Sequence, residues 1–463
     1  MTVSSRVALL LLFLGLILLC QAQPKKNEEE FLDWARENGA VFDEYLEWPV
    51  EFGRSGRGVR ATRDIAPHTR FLTLPESLVL NVKNALKDDG VYGPVAKEVL
   101  MQSRPFDRMV AVLLVERALK HKSFWYPYLR ILPERSYEHA LIEWTEQELE
   151  ELQNEELVEA RDVMIYEQTI SEATCKQILE EMNLLEMVLK ADPEMNFEDL
   201  YRWAFFIVAS RSFQLGDADE YNLVPVGDLM NHHPMSSVSW KVVDGRMQMT
   251  LLGTKTVQAG KEMYNHYGDL TNDKMILDYS FISEENFLDV VSVEMPLDAA
   301  LLEDKRDVWD GSELELDHFT NMAHFMEFFR ILSYDQDDIL DKPWGFFQRP
   351  SSQEHELKAF QTCIQVIGSQ VPGSTSLWED LSLRDLIETD SSKERLRMAL
   401  TYRIARKRIF VHYQEFCKEA IEVFIRCTPR FNTLVVKEWT PLGKYNRKLQ
   451  QLSRSKIFPS SWT

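Results

Sequence analysis

Apolar residues along this chain follow two different periods. Between residues 106 and 195 they recur every three or four positions, and on either side of that stretch they alternate in short runs. The first period belongs to helices and the second to strands. "FDRMVAVLLVERALKHKS" predicts an amphipathic helix. "WTEQELEELQNEELVEARDVMIYEQTISEATCKQILEEMNLLEMVLK" is nearly free of Gly and Pro and predicts more helix, its charged run a solvated face. "FWYPYLRILP", between them, reads as a packed aromatic connector. Upstream, Phe31, Trp34 and Ala35 recur at helical spacing and predict a short acidic helix over 28–47. "FGRSGRGVRATRDIAPHTRFLTLPESLVL" then predicts two short strands, near 59–62 and 71–74, with "DIAPHT" as their turn. Downstream, "FEDLYRWAFFIVASRSF" predicts a helix over 197–213, and "VSWKVVDGRMQMTLL" a hairpin about Asp244-Gly245. "TVQAGKEMYNHYGD" predicts a turn and a short strand. Beyond residue 290 the pattern is helical, and 393–428, without Gly or Pro, predicts one long helix or two stacked ones. Strands on both sides of a helical insert imply one α+β domain, its sheet completed from both sides, followed by an all-helical C-terminal part.

The ends of the chain change the picture. Residues 7–19 are apolar apart from Gly15 and follow a lone Arg6. This run suits a signal-peptide core and is short for a bilayer span of about 20 residues. Cys20 and Ala22 stand at the small positions of a cleavage site, so cleavage is expected after Ala22, with a mature start at Gln23 and no membrane span thereafter; an uncleaved anchor is the alternative. The last residues, 431–463, form a mildly basic tail. Formal net charge is −22, which opposes direct nucleic-acid binding, because replacing counterions needs a basic face. Past the cleavage site Cys175, Cys363, Cys417 and Cys427 are scattered and make no metal-ligand spacing. At most one disulfide is expected among them, with the others buried thiols. The segment "YNLVPVGDLMNHHP" at 221–234 raises a metal reading, but adjacent His232 and His233 tend to diverge and no second cluster supports them. Neither a nucleophile elbow nor a phosphate-binding loop occurs in the sequence.

Four pieces change meaning when taken in order: "GRGVRATRDI" at 56–65, "SRSF" at 210–213, "LVPVGDLMNHHP" at 223–234 and "AGKEMYNHYGDLTNDKMILDYSFI" at 259–282. Their order and spacing resemble a SET domain of the class typified by the Rubisco large-subunit lysine methyltransferase. "FWYPYLRILP" resembles that class's connector, and the helical third its substrate-binding domain. The resemblance implies a SET fold in two parts, 28–105 and 196–288, split by the insert at 106–195, with a helical substrate-binding domain over 289–430. It also implies S-adenosyl-L-methionine as cofactor and methyl transfer to a lysine of a protein substrate; a monomer is expected. By position, Arg60 and Arg211 would meet the cofactor's carboxylate, Val91, Tyr92 and Gly93 would line its pocket, and Asn231 and His232 would bind its amino group and adenine. Tyr267 would be the catalytic tyrosine beside the methyl group. Phe213, Asp228 and Tyr279 would shape the acceptor side.

These residue types suit the chemistry. Arginine offers a fork for a carboxylate, and an amide both accepts and donates. Tyrosine hydroxyls and backbone carbonyls set partial negative charge around a cationic centre, and a dry channel favours a neutral lysine amine. The usual Gly-Glu-Glu before the tyrosine is Gly-Lys-Glu here, leaving Glu262. A histidine-methylating relative carries Asn where this chain has Phe213, which leans toward lysine. The alternatives are histidine methylation and a catalytically silent SET-fold binding module. The leader points to the secretory pathway, with a plastid reached through a two-part address as the alternative.

Overall fold

The computed structural model describes residues 25–426, apart from 54–55, 88–89, 135–136, 216–219, 295–312, 318–319, 336–337, 340–341, 344 and 372. The expected signal segment and the basic tail lie outside the described residues. The chain divides into two compact units. One takes Met1–Glu143, Glu159–Asp269 and Ile276–Ser280, and the other takes Trp144–Val158, Leu270–Met275 and Phe281–Thr463.

The first unit holds most of the strands. Helix α1 (25–37) stops ahead of Gly39, whose φ of 89° suits a residue without Cβ. The helix expected to reach residue 47 is therefore shorter, and β1 (Leu46–Glu51) follows. Pro49 cannot sit in a helix interior, and β1 gains a partner in β2 (Arg57–Ala61), with Leu46 opposite Ala61 and Val50 opposite Gly58. The other edge of β2 takes β8 (Glu262–Met263), with Val59 opposite Met263. A second antiparallel sheet runs β3 (Arg70–Pro75), β7 (Arg246–Leu251), β6 (Val238–Val243). Its hairpin turns on the expected pair, Asp244 at φ 51° and Gly245 at φ 70°, the left-handed pair a two-residue turn of this type requires. A two-stranded ribbon joins β4 (Ser212–Phe213) to β5 (Asn222–Leu223).

The helices of this unit are α2 (Pro94–Gln102), α3 (Pro105–Leu119), α4 (Tyr126–Leu129, inside the aromatic connector), most of α5 (Glu155–Glu181), α6 (Leu185–Ala191) and α7 (Phe197–Arg211). Every residue of α3 from Met109 to Val115 is buried, so this helix, expected to be amphipathic, is wrapped on all sides. The acidic helix α5 is not a purely charged outer face, since Val163, Tyr166 and Ile170 are exposed on it at i, i+3, i+7 spacing. Asn196 caps α7, accepting the Asp199 N–H at 2.8 Å, and Arg211 ends it.

The second unit is not helical throughout. After α8 (Asn272–Tyr279), of which only the residues up to Met275 belong to this unit, β9 (Val291–Glu294) pairs antiparallel with β10 (Glu313–Leu316), a ribbon in the stretch expected to be helical. Each strand is only four residues of apolar alternation and escapes a helical reading only through its partner. The rest is α9 (Met322–Leu332), α10 (Gln353–Gln370), α11 (Leu377–Leu386) and α12 (Glu394–Arg426), the last a single 33-residue helix. A disulfide joins Cys363 on α10 to Cys417 on α12, with Cα atoms 6.6 Å apart, while Cys175 is a buried free thiol.

Candidate active site

The segments around Asn231 and Tyr267 lie side by side. His232 and Asn265 form a parallel bridge. The Asn265 N–H donates to the Asn231 carbonyl at 2.8 Å, and the His233 N–H donates to the Asn265 carbonyl at 3.0 Å. Both strips are too short to pair alone, and each is held from its own side. Residues 227–229 form a single helical turn entered through Val226, a β-branched residue at φ 70°. That is a strained backbone of the kind that clusters at functional sites. The second strip follows β8, which is anchored on β2.

This pairing fixes Tyr267. Its N–H donates to His232 Nδ1 at 3.0 Å, and its hydroxyl donates to the Met230 carbonyl at 2.8 Å. The Tyr279 ring lies 5.2 Å away, tilted by 32°. Burial pushes the Tyr267 phenol well above its ordinary value, with Asp228, Tyr279 and Glu262 adding to the effect against Arg211, so it stays protonated. His232 is held neutral: burial, then the neighbouring His266 and His233, bring it down to about 4. Because Nδ1 accepts, the ring proton belongs on Nε2. The Asn231 amide donates to Glu262 Oε1 at 2.8 Å. Gly58 makes room for that pair, since a Cβ there would come within 2.9 Å of Asn231 Nδ2 and 2.6 Å of Glu262 Oε1.

A second cluster is buried beside Tyr267. Arg211 Nη1 donates to the Asp228 carbonyl at 3.0 Å and to its Oδ2 at 3.3 Å. Tyr128, from the connector helix α4, donates its hydroxyl to the same Oδ2 at 2.7 Å. Asp228 Oδ1 is buried without a hydrogen-bond partner. Burial raises the Asp228 carboxyl, opposed by the Arg211 charge and by the hydrogen bonds of Tyr128 and Arg211. Both Arg211 bonds run from Nη1, and 27 % of the side chain is exposed, so the remaining guanidinium donors face outward.

The structure thus gathers Arg211, Asp228, Asn231, His232, Tyr267 and Tyr279. Phe213 is buried at β4, its ring 5.2 Å from Trp240, and its carbonyl accepts from Asn222 Nδ2. Arg60 is engaged elsewhere, in an ion pair with Glu47 at 2.7 Å across β1 and β2. Tyr92 is buried between Val91 and Gly93, and its hydroxyl donates to Glu116 of α3 at 3.0 Å. Neither contact reaches the group around Tyr267. Tyr128 was not among the expected site residues; in "FWYPYLRILP" it is one aromatic among several, and nothing local marks its hydroxyl as the one that meets a carboxylate. Among the described residues no three His, Cys, Asp or Glu side chains form a metal-ligating group, and no helix is long and apolar enough to cross a membrane.

Known proteins resemble this arrangement. The family model of the SET domain matches residues 56–268. An actin-histidine N-methyltransferase of Xenopus tropicalis is 29% identical over 290 residues, which are 61% of this chain and 47% of that protein. The chain thus spans about half the length of such curated relatives. The chloroplastic [fructose-bisphosphate aldolase]-lysine N-methyltransferase of Arabidopsis thaliana is 24% identical over 420 residues, covering 85% of this chain and 83% of that protein. The solved structure of Rubisco LSMT bound to sinefungin and monomethyllysine aligns with a TM-score of 0.59 at 21% identity, over 92% of this chain and 99% of that one. An α+β core of short strands split by helices, followed by a helical C-terminal region, is common to both folds. The chain is thus similar to SET domains over residues 56–268 and shares the fold of the Rubisco LSMT structures.

Proposed function

We propose that this chain is an S-adenosyl-L-methionine-dependent protein-lysine N-methyltransferase. The observation that carries the reading is the parallel pairing of 231–233 with 265–267, which sets a neutral, anchored Tyr267 beside the Arg211–Asp228 pair. The residues suit a zwitterionic donor: Arg211 keeps donors for a carboxylate, and the bare Asp228 Oδ1 and the carbonyls near it suit a cation. Bound S-adenosylmethionine would supply a methyl group already activated on a sulfonium. The chain then has to orient, exclude water and surround positive charge with oxygen, and the Tyr267 hydroxyl and the Met230 carbonyl are placed for that. Burial around Tyr267 and Tyr279 favours the neutral form of an incoming lysine amine. Arg60 would have to leave Glu47 to meet the cofactor's carboxylate.

Phe213 supports lysine over histidine. At the acceptor side its ring, packed on Trp240, would give a lysine stem an apolar wall and would give an imidazole no hydrogen bond to fix its tautomer. Histidine methylation is the second reading, favoured by the likeness to actin-histidine methyltransferases. The test is transfer of labelled methyl groups from S-adenosylmethionine to proteins of the native compartment, with the modified residue mapped by mass spectrometry. Methyllysine is expected. Methylhistidine would replace the reading by the second one, and a chain that neither binds S-adenosylhomocysteine nor transfers label is a silent binding module. The reading extends to an oxidising secretory compartment, supported by the apolar run at 7–19 and the Cys363–Cys417 disulfide. A mature N-terminus at Gln23 on the purified native protein tests it, and an intact Met1 overturns it.

A further inference from the structure

The unused donor in this site is Tyr128. Its side chain is fully buried, it comes from the connector rather than from either of the paired strips, and its hydroxyl meets Asp228 Oδ2 at 2.7 Å. Asp228 in turn meets Arg211 at 3.0 Å and 3.3 Å. A carboxylate buried this deeply is stable only while donors surround it. Here one oxygen holds both donors and the other holds none. The ionised Asp228 therefore depends on two neighbours, and Arg211 depends on that ionised carboxylate to hold it by one nitrogen with its other donors turned outward.

We propose that Tyr128 is a positioning residue for the cofactor site, acting through Asp228 to keep Arg211 aimed at the carboxylate of the methyl donor. This rests on the methyl-transfer reading. The titratable and charged groups around Asp228 are Tyr128 from α4, Arg211 from the end of α7 and Tyr267 from the strip after β8. Tyr267 is anchored on the Met230 carbonyl and cannot substitute as donor without leaving it. When the Tyr128 hydroxyl is removed, Arg211 alone holds the charge, and Asp228 takes up a proton at higher pH than before. A protonated Asp228 releases its charge-assisted bond to Arg211, so cofactor binding weakens as pH falls.

The experiment is calorimetric titration of the full chain with S-adenosylhomocysteine from pH 6 to pH 9, for the wild type, Tyr128→Phe, Asp228→Asn and the double variant. The wild type should bind with little pH dependence. Tyr128→Phe should bind roughly tenfold more weakly near pH 7, the order expected for losing one hydrogen bond to a charged group, and progressively more weakly toward pH 6. Asp228→Asn should weaken binding at every pH, and adding Tyr128→Phe to it should change nothing more, because the tyrosine acts only through that carboxylate. A uniform, pH-independent loss in Tyr128→Phe, or full additivity in the double variant, reduces Tyr128 to a packing residue and overturns the proposal. If Tyr128→Phe does not fold, Asp228→Asn still decides: binding like the wild type at every pH sinks the relay. A wild type that binds no S-adenosylhomocysteine removes the methyl-transfer reading and this proposal together, whereas normal wild-type binding with an indifferent Tyr128→Phe removes the proposal alone.

Discussion

Tyr267 is held by a carbonyl in front of its hydroxyl and an imidazole behind its backbone, so its ring tip and its backbone are fixed by separate contacts. Tyr267→Phe keeps the backbone bond to His232 and the tilted ring contact with Tyr279 and loses only the hydroxyl. Turnover should fall about 100-fold or more, in line with losing one aligned oxygen at a charge-developing centre, while the Kd for S-adenosylhomocysteine changes little. Loss of both in parallel would make Tyr267 a structural residue. Gly58 is the steric counterpart: Gly58→Ala brings a methyl against the Asn231 amide and the Glu262 carboxylate. It should cost roughly 1–3 kcal/mol, as overpacking does, and weaken cofactor binding, read by a denaturant melt and a binding titration. Unchanged values for both would mean that the two side chains yield freely. At this scale the sequence motifs named side chains that the fold brings together, because Asn231, His232, Tyr267, Arg211 and Asp228 each stand in a recognisable short string. They did not reveal the partnerships. That Asp228 binds Arg211 and Tyr128 depends on residues 17 and 100 positions away.

Elements were legible where their signal was local. The Asp244-Gly245 hairpin follows from the positive φ its turn demands, and α7 and α12 follow from apolar period and the lack of breakers. β1 and the β9–β10 ribbon were not, since four to six residues carry too little period to outweigh a neighbouring helix, and only pairing with a distant strand makes them extended. Helix α8 shows the same dependence. Its first residue, Asn272, donates its N–H and its side-chain amide to the two carboxylate oxygens of Asp289, at 2.9 and 2.8 Å. Burial raises Asp289 from 3.8 to about 6, and the Asn272 bonds only partly oppose this. Its folded value lies above its unfolded one, so its contribution to stability is complete below pH 4 and is lost as pH rises through 6, about 3 kcal/mol in all. Carbon-13 titration of the Asp289 carboxyl should show a midpoint near 6. A midpoint below 4 would mean that water reaches the pair.

For the whole molecule the sequence predicted a β part split by helices and a helical end, and the two units keep that order. Their membership is less simple, since 144–158, inside the helical insert, and 270–275, just after the strip at 265–267, belong with the helical end although the sequence around them belongs to the first unit. No local pattern encodes which of two cores a short segment joins. The helical unit has its own core, with Phe325, Phe329, Phe360, Ile409 and Tyr413 among its members, and the Cys363–Cys417 disulfide sits inside it with both cysteines fully buried. The bridge closes a loop of 54 residues. In the chain-entropy account such a loop stabilises by about 4 kcal/mol, a large share of what one domain of this size possesses. The effect should be confined to the unit that contains it. In Cys363→Ser, hydrogen exchange read peptide by peptide should quicken across α10 and α12 and leave the β3–β7–β6 sheet unchanged. Equal quickening in that sheet would mean that the two cores unfold as one, and no change in α10 would mean that packing, not the covalent link, holds the helices together. Since the disulfide sulfurs are closed to solvent in the folded chain, a reductant should act only as fast as this unit opens, so its rate measured against exchange in α10 gives a second, independent reading of the same barrier.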